Sequence, residues 1–406
     1  MDIIKAKQAV IEAGKLLVKE GLIQRTWGNV SCRVSDTQFV ITPSGMDYLS
    51  LTPEKIVLVN IADCSYEGDI KPSSEKGIHA ECYKLRSEVN FVIHTHQTYA
   101  SLVGLAGLDI NNITGESAEI IGDNVPVAAY GLPGTGALKK GVVAALKRST
   151  SKAALMIHHG ALCVGTDLED AFKVANELEK VSKQRLLDRY FELTGKTADE
   201  FVTISKYVSG RLMKSASDVE YDAYESEREF AVFEMRPVNG GEPVCINIAT
   251  GLPVDLNAEC PDTALLHAKI YRARKDVNAI VHSKEPDTLE ISKIGKTVKP
   301  FLDDFAQITG ITIKNAAFDP NNALKTAKQT LKKLKNRDAV LLSHNGALCV
   351  GSNLDEANAV KLVTDKECKA FAAADIFGKG KACINTAESL LMRVIYKQKY
   401  SKKNVK

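Results

Sequence analysis

The sequence predicts an α/β protein of two tandem domains, each a mixed central sheet with helices on both faces in a three-layer αβα arrangement. Two observations lead to this prediction. Residues 79–94 reappear as residues 267–282 with seven identities in sixteen positions and no gap, which indicates an internal duplication. In each half, strand-like segments also alternate with amphipathic helical segments, without strict βαβ regularity.

The first half contains a regular succession of predicted elements. Its opening helix is indicated by Ala6, Val10 and Ala13, which share one face at helical spacing, and Gly21 ends it. Ser74 is placed to cap a later helix. The predicted helices are 3–20, 75–86, 136–148 and 168–190, and the predicted strands are 29–34, 38–41, 56–61, 91–96 and 153–157.

The second half repeats this order from about residue 230, but the segment that matches residues 28–45 is expected to be missing there. The charged stretch 202–228 predicts a linker, which places the boundary near residue 220. The predicted domains are therefore 1–220 and 221–406. Predicted strands of the second domain are 245–248, 279–282 and 339–342, and its predicted helices are 263–274, 322–335 and 354–377.

Composition and charge exclude several classes of protein. Among 406 residues, 45% are hydrophobic and 25% are charged, which is ordinary for a globular protein. A net charge of +3 is too small to indicate a nucleic acid or membrane partner. The charged N-terminus has neither a signal peptide nor a membrane span, so a cytoplasmic protein is expected. Nine cysteines without a Cys-x-x-Cys pair indicate reduced thiols.

Histidines at two places along the first half predict a metal site. His94 and His96 lie two apart on a predicted strand, so both point to the same side. His159, after a later strand, is the expected third ligand. Three imidazoles with an open position are typical of catalytic zinc, and another divalent metal is an alternative. A lone His-x-His is weak support, but Lys284 and Asn345 replace His96 and His159 in the second copy, and this selective loss strengthens the prediction.

A carboxylate accompanies these histidines. Glu75 begins a predicted helix, where a glutamate commonly stabilises the helix dipole. Its counterpart in the second copy is Thr263, and the loss of the carboxylate together with the ligands favours an acid/base role.

A third set of residues could cradle a phosphate. Hydroxyls, an amide and glycine-exposed backbone N–H groups lie in turns and at a helix N-terminus, where anions commonly bind. These residues are Gly28, Asn29, Ser44, Gly45, Ser73 and Ser74.

Together these residues occur in motifs that resemble the class II aldolase/adducin family, and the pattern is most similar to its L-fuculose-1-phosphate aldolases. Order and spacing agree over about residues 5–195. The second half resembles the same family without its chemistry. The motifs are 28–31, 41–45, 72–75, 94–96, 130–135 and 158–160.

The resemblance implies a lyase. Zinc would be held by His94, His96 and His159, with Glu75 as acid/base and a phosphate pocket formed by the six residues named above. A phosphorylated ketose would be cleaved to dihydroxyacetone phosphate and an aldehyde, with the metal stabilising the enediolate. The second domain would be a catalytically inactive partner.

One departure keeps other functions open. Fuculose-type aldolases carry a tyrosine in the stretch that matches residues 113–117, and this chain has none there, so Glu116 is one candidate to replace it as proton donor. A sugar-phosphate epimerase or dehydratase is one alternative. An adducin-like interaction protein is another, although a binding scaffold does not need an intact metal site. The resemblance also implies a homodimer with pseudo-four-fold symmetry, in which the two kinds of domain alternate.

Overall fold

The computed structural model describes residues 2–23, 27–213, 222–319 and 321–399. Two compact units divide between Thr197 and Ala198. The boundary expected near residue 220 lies within 214–221, outside the described residues. The helix at Phe201–Leu212 belongs to the second unit, so part of the expected linker is a packed element.

The first unit is an α/β layer structure with a single mixed sheet. The strand order is β3-β2-β1-β4-β7-β6-β5, and only the β5–β6 pair is parallel. Its elements are α1 (Ile3–Lys19), β1 (Gly28–Arg33), β2 (Gln38–Ile41), β3 (Val57–Asn60), α2 (Lys76–Leu85), β4 (Phe91–Thr95), α3 (Thr98–Gly104), α4 (Gly115–Ile121), β5 (Val127–Ala128), α5 (Gly136–Lys147), β6 (Ala153–Met156), β7 (Gly160–Gly165) and α6 (Leu168–Thr194).

Helices cover both faces of this sheet. Side chains of α2 and α5, such as Tyr83 and Leu138, form one buried cluster with Val92 of β4. Each such buried apolar side chain contributes about 2 kcal/mol relative to exposure. On the opposite face, Thr95 donates a hydrogen bond to Gln97, which donates to the Ala175 carbonyl of α6. Because residues alternate along a strand, His94 lies on the α2 side.

The second unit repeats the architecture of the first. Its strand order, β10-β9-β8-β11-β14-β13-β12, is that of the first sheet. Its elements are α7 (Phe201–Leu212), β8 (Tyr224–Glu229), β9 (Val232–Pro237), β10 (Val244–Asn247), α8 (Ala264–Ala273), β11 (Ala279–Ser283), α9 (Pro286–Ser292), α10 (Asp303–Ile308), β12 (Lys314–Ala316), α11 (Ala323–Leu334), β13 (Ala339–Leu342), β14 (Ala347–Gly351), α12 (Leu354–Ile376) and α13 (Thr386–Lys399). The prediction of two tandem α/β domains with mixed sheets is confirmed.

Two local expectations for the second half were wrong. The counterpart of residues 28–45 is present, because β8 and β9 occupy the places of β1 and β2. The stretch expected to be a linker contains α7, whose Ser205 and Ser209 hydroxyls donate hydrogen bonds to Asp287 and Glu290 of α9, each at 2.6 Å. These buried contacts explain why α7 is part of the second unit. Among the described residues, no helix is long and apolar enough to cross a membrane.

Candidate metal centre

The three predicted ligands come together in the first unit. His94 lies near the end of β4, His96 follows that strand, and His159 lies in the turn between β6 and β7. One nitrogen from each ring lies within 4.8 Å of the others, and the ring centroids are 4.6–5.0 Å apart. His94 and His159 are buried and His96 is half-buried. The structure therefore forms the three-imidazole group that the sequence predicts.

The β6–β7 turn directs His159 towards β4. Its first histidine, His158, has a left-handed backbone with φ of 63°, and its ring packs edge-on against Tyr130. Gly160 then starts β7 so close to β4 that a Cβ atom there would lie 2.1 Å from the Thr95 carbonyl oxygen. This close approach brings His159 beside the β4 histidines.

A backbone hydrogen bond fixes the orientation of His94. Its Nδ1–H donates to the Ala161 carbonyl oxygen at 2.8 Å, so Nε2 carries the lone pair and lies 3.3 Å from Glu75 Oε2. Burial, with the neighbouring imidazoles, lowers the pKa of His94 well below its usual range. A neutral imidazole with its outer nitrogen held by a carbonyl is the form in which histidine binds a divalent metal. The donor set therefore fits such an ion.

Glu75 lies against the same group. Its side chain is buried, and His159 Nε2 and Asn29 Nδ2 lie 3.0 and 2.9 Å from its two carboxylate oxygens. Burial alone would raise the pKa of Glu75, but electrostatic attraction to the His159 ring and the hydrogen bonds from His159 and Asn29 outweigh it and hold this pKa well below its usual range. Glu75 is therefore a buried anion that contacts two of the three imidazoles.

The predicted phosphate residues lie on segments that converge near Glu75. The Ser44 N–H donates to the Lys71 carbonyl at 2.9 Å, and the Ser73 N–H donates to the Thr42 carbonyl at 3.0 Å. These bonds join the turn containing Ser44 and Gly45 to the segment that precedes α2. Asn29 is paired with His94 across β1 and β4. The structure thus brings Asn29, Ser44, Gly45 and Ser73 to one end of the sheet.

Three details at this end were not predicted. Glu75, rather than Ser74, is the N-cap residue of α2, and Ser73 Oγ accepts a hydrogen bond from the Glu75 N–H at 3.2 Å. Ser74 is exposed and lies near Gly134. Gly28 has φ of 112°, and a Cβ atom there would lie 2.5 Å from the His94 carbonyl oxygen. The close packing of this residue against β4 therefore requires a glycine.

Sequence reasoning also missed the connection of His79 to this site. A histidine occurs at this place in both copies, so the comparison that singled out His96 and His159 did not single out His79. In the structure its Nε2 hydrogen-bonds Asn29 Oδ1, and Asn29 in turn contacts Glu75. The substitution of Asn29 and Glu75 in the second copy was the available signal.

The second unit lacks the donor set. Thr263 is the N-cap residue of α8, where Glu75 stands in the first unit, and Asn345 lies in the β13–β14 turn. In the described parts of this unit, 198–213, 222–319 and 321–399, no group of three histidine, cysteine or carboxylate side chains converges as His94, His96 and His159 do.

The fold and this centre define a class of α/β protein with a three-histidine metal site beside a buried carboxylate. The model of the class II aldolase and adducin N-terminal domain matches residues 8–186 and, a second time, residues 217–371. The chain therefore belongs to the class II aldolase/adducin family and carries its domain twice, which confirms the resemblance.

Similar proteins of known name match one domain of the chain. A 5-methylthioribulose-1-phosphate/5-deoxyribulose-1-phosphate aldolase of Escherichia coli strain S88 is 37% identical over 182 residues, which are 45% of this chain and 84% of that protein. The L-fuculose phosphate aldolase of Escherichia coli K12 is 34% identical over 183 residues, or 45% and 83%. A solved L-fuculose 1-phosphate aldolase has 30% identity and a TM-score of 0.44, with 48% and 89% covered.

Proposed function

We propose that the first unit is a zinc-dependent aldolase that cleaves a phosphorylated ketose to dihydroxyacetone phosphate and an aldehyde. The observation that carries this proposal is the contact of Glu75 with two members of the His94, His96 and His159 group. A three-histidine metal site alone is compatible with many reactions. A buried carboxylate at hydrogen-bonding distance from it supplies the proton acceptor that carbon–carbon cleavage needs.

The relatives support the substrate class. The similar proteins are aldolases of 5-methylthioribulose 1-phosphate, 5-deoxyribulose 1-phosphate and L-fuculose phosphate. Each of these substrates is a phosphorylated ketose. We therefore propose that this chain acts on a ketose 1-phosphate, with the phosphate bound near Asn29, Ser44, Gly45, Ser73 and Ser74, and with Gly28 shaping the strand that carries Asn29.

The chain's own groups then have distinct tasks. His94, His96 and His159 would hold the ion, which supplies Lewis acidity without redox activity when bound. The backbone of the 42–45 turn and the segment before α2 would fix the phosphate, so that the C3–C4 bond lies at the centre. As that bond breaks and the aldehyde forms, the 4-hydroxyl proton passes by way of the aldehyde-side group to the Glu75 carboxylate, and Glu75 returns it to C3.

A screen of ketose 1-phosphates tests the proposal. Dihydroxyacetone phosphate release is followed with a coupled reductase, and the second product is identified by mass spectrometry. Release of both fragments by the zinc-loaded protein, and its absence in His96→Ala, supports an aldolase. Conversion of the sugar phosphate to an isomer of equal mass would instead identify an epimerase, and loss of water would identify a dehydratase.

A further inference from the structure

A buried chain of hydrogen bonds leads from the core of the first unit to Glu75. Tyr83 OH and Ser31 Oγ are 2.6 Å apart, and Ser31 Oγ is 2.6 Å from His79 Nδ1. His79 Nε2 hydrogen-bonds Asn29 Oδ1, and Asn29 Nδ2 lies 2.9 Å from Glu75 Oε2. All five side chains are buried, so solvent does not compete for these contacts.

The chemistry of the groups fixes the direction of each bond. A carboxylate can only accept, so Asn29 presents its NH₂ group to Glu75 and its carbonyl oxygen to His79. His79 must therefore donate from Nε2. Burial lowers the pKa of His79 to about 4, so the ring is neutral and its Nδ1 accepts from the Ser31 hydroxyl. The Ser31 oxygen in turn accepts from the Tyr83 hydroxyl.

We propose that His79 is a positioning residue for Glu75: held in one tautomer by Ser31 and Tyr83, it fixes the Asn29 amide so that an N–H group, never the carbonyl, faces the carboxylate. The two ends of an amide have nearly the same shape. Without the His79 donor, the Asn29 oxygen is buried without a hydrogen-bond partner, so the side chain turns away from this position and its N–H group leaves the carboxylate. Glu75 then leaves the position in which it contacts His159. This inference rests on the acid/base role proposed above for Glu75.

Comparison with the second unit distinguishes this positioning role from simple packing. Ser226 Oγ lies 2.8 Å from both His267 Nδ1 and Tyr271 OH, which reproduces the first half of the chain of bonds. Ser226 is paired with Ile280 as Ser31 is with Val92, so the residue in the place of Asn29 is Tyr224.

The chain of bonds therefore ends at the histidine in the second unit. In the described residues, His267 Nε2 has no hydrogen-bond partner, and Thr263 stands in the place of Glu75. The Ser–His–Tyr group is present in both units and is part of their shared scaffold. Only in the first unit does it continue to a carboxylate, and the second unit therefore supplies a matched control within the same chain.

The experiment compares four variants of the full chain loaded with zinc: His79→Leu, His79→Gln, His267→Leu and His267→Gln. Leucine removes the donor, whereas glutamine keeps an N–H group that can reach Asn29. We expect His79→Leu to lower kcat by about 10- to 100-fold with zinc content unchanged. His79→Gln should recover most of kcat. Both His267 variants should keep wild-type kcat.

Several results would overturn the proposal. These are wild-type kcat in His79→Leu, a loss of kcat that only follows a loss of zinc, or an equal loss in His267→Leu. If His79→Leu does not fold, Ser31→Ala takes its place, with Ser226→Ala as its match and the same expectations.

A structural measurement keeps the inference separate from the proposed function. In a crystal structure of zinc-loaded His79→Leu, or of Ser31→Ala if that variant is used, the Asn29 amide should be rotated and the Glu75 carboxylate displaced from the wild-type position. Unmoved side chains refute the positioning role even if the enzyme is an aldolase. If the wild-type protein cleaves no ketose 1-phosphate, the proposed function fails, and the displacement of Glu75 still decides the inference.

Discussion

His94 and His282 occupy the same place in the two sheets but use opposite ring nitrogens to bind the backbone. His94 donates from Nδ1 to the Ala161 carbonyl at 2.8 Å, whereas His282 donates from Nε2 to the Asn345 carbonyl at 2.6 Å. In the first unit the nitrogen that faces Glu75 therefore keeps a lone pair with which it can bind a metal. In the second unit the corresponding nitrogen donates to a main-chain carbonyl, so His282 does not present it to a metal, and Lys284 stands in the place of His96.

This relationship predicts one metal ion per chain. Purified protein loaded with zinc should contain about one equivalent, because only the first unit presents three converging imidazoles. His96→Ala should reduce the zinc content, and His282→Ala should leave it unchanged. Inductively coupled plasma mass spectrometry measures both. Two equivalents in the wild type, with one retained after His94, His96 and His159 are all replaced by alanine, would contradict the prediction.

Glu75→Gln should separate metal binding from turnover. The amide is nearly isosteric and keeps the shape of the site, so zinc content should stay near the wild-type value. It cannot take up and return a proton, so kcat should fall by about 10²- to 10⁴-fold. The decisive measurement is kcat on the best ketose 1-phosphate together with metal analysis of the same sample. Unchanged turnover would remove Glu75 from the mechanism.

Gly28→Ala should destabilise the first unit. The φ of 112° is unfavourable for an L residue, and the new Cβ atom would lie 2.5 Å from the His94 carbonyl oxygen. We expect a loss of about 3 kcal/mol in the free energy of unfolding. Gly21→Ala is the control, because Gly21 also has a positive φ but no atom within 4 Å of the added carbon, and it should cost about 1 kcal/mol. Denaturant unfolding followed by Trp27 fluorescence compares them, and equal costs would refute the steric argument.

Buried neutral histidines predict a pH-dependent stability for the second unit. Burial lowers the pKa of His267 from 6.5 to about 3. Above about pH 6.5 the ring is neutral in the folded and the unfolded chain. As the pH falls below that value, only the unfolded chain takes up the proton, so folding loses stability at about 1.4 kcal/mol per pH unit until the folded ring also titrates.

The variant His267→Leu isolates this contribution. Its free energy of unfolding, measured by far-UV circular dichroism, should depend less on pH than that of the wild type between about pH 6.5 and 5. Other titrating groups are common to both proteins and cancel in the difference. A pH-independent difference between the two would show that His267 is not protonated preferentially in the unfolded chain.

Hydrophobic periodicity was enough to predict the longest helix of each half and strand β4, but several elements were missed, among them β8 and α7. The strand β4 at Phe91–Thr95 was predicted as 91–96, because an uninterrupted apolar run marks a buried strand. The strand β8 at Tyr224–Glu229 alternates glutamates with Ser226, so it has no apolar alternation to recognise. Helix α7 carries Phe201, Ile204 and Val208 at helical spacing, so its pattern was present in the sequence, but the charged residues of the stretch led to the prediction of a linker.

The internal duplication made part of the candidate site predictable from the sequence. Comparison of the two copies singled out His96, His159 and Glu75, because those positions changed together. The same comparison hid His79, whose counterpart His267 keeps the same bond to a serine that also bonds a tyrosine. Its link to Asn29 joins residues fifty positions apart through polar atoms, and only the three-dimensional structure shows it.

The last prediction concerns assembly. Residues 113–117 contain no tyrosine, and Glu116, one candidate to replace it, lies exposed in the first turn of α4. A proton donor for the aldehyde side would then come from Glu116 or from a neighbouring domain, and the inactive second unit would persist because it completes the active site. We therefore expect a homodimer in which four domains form a pseudo-four-fold ring, as heterologous contacts allow.

Light scattering and kinetics at increasing dilution test this assembly together. The full chain should have the mass of two chains, and kcat should fall when dilution produces monomers. Glu116→Gln should lower kcat without changing that mass, whereas Glu119→Gln, an exposed substitution on the same helix, should change neither. A shortened chain of residues 1–220 should lose activity. If that shortened chain were a fully active monomer, the second unit would have no part in catalysis and the ring would be refuted.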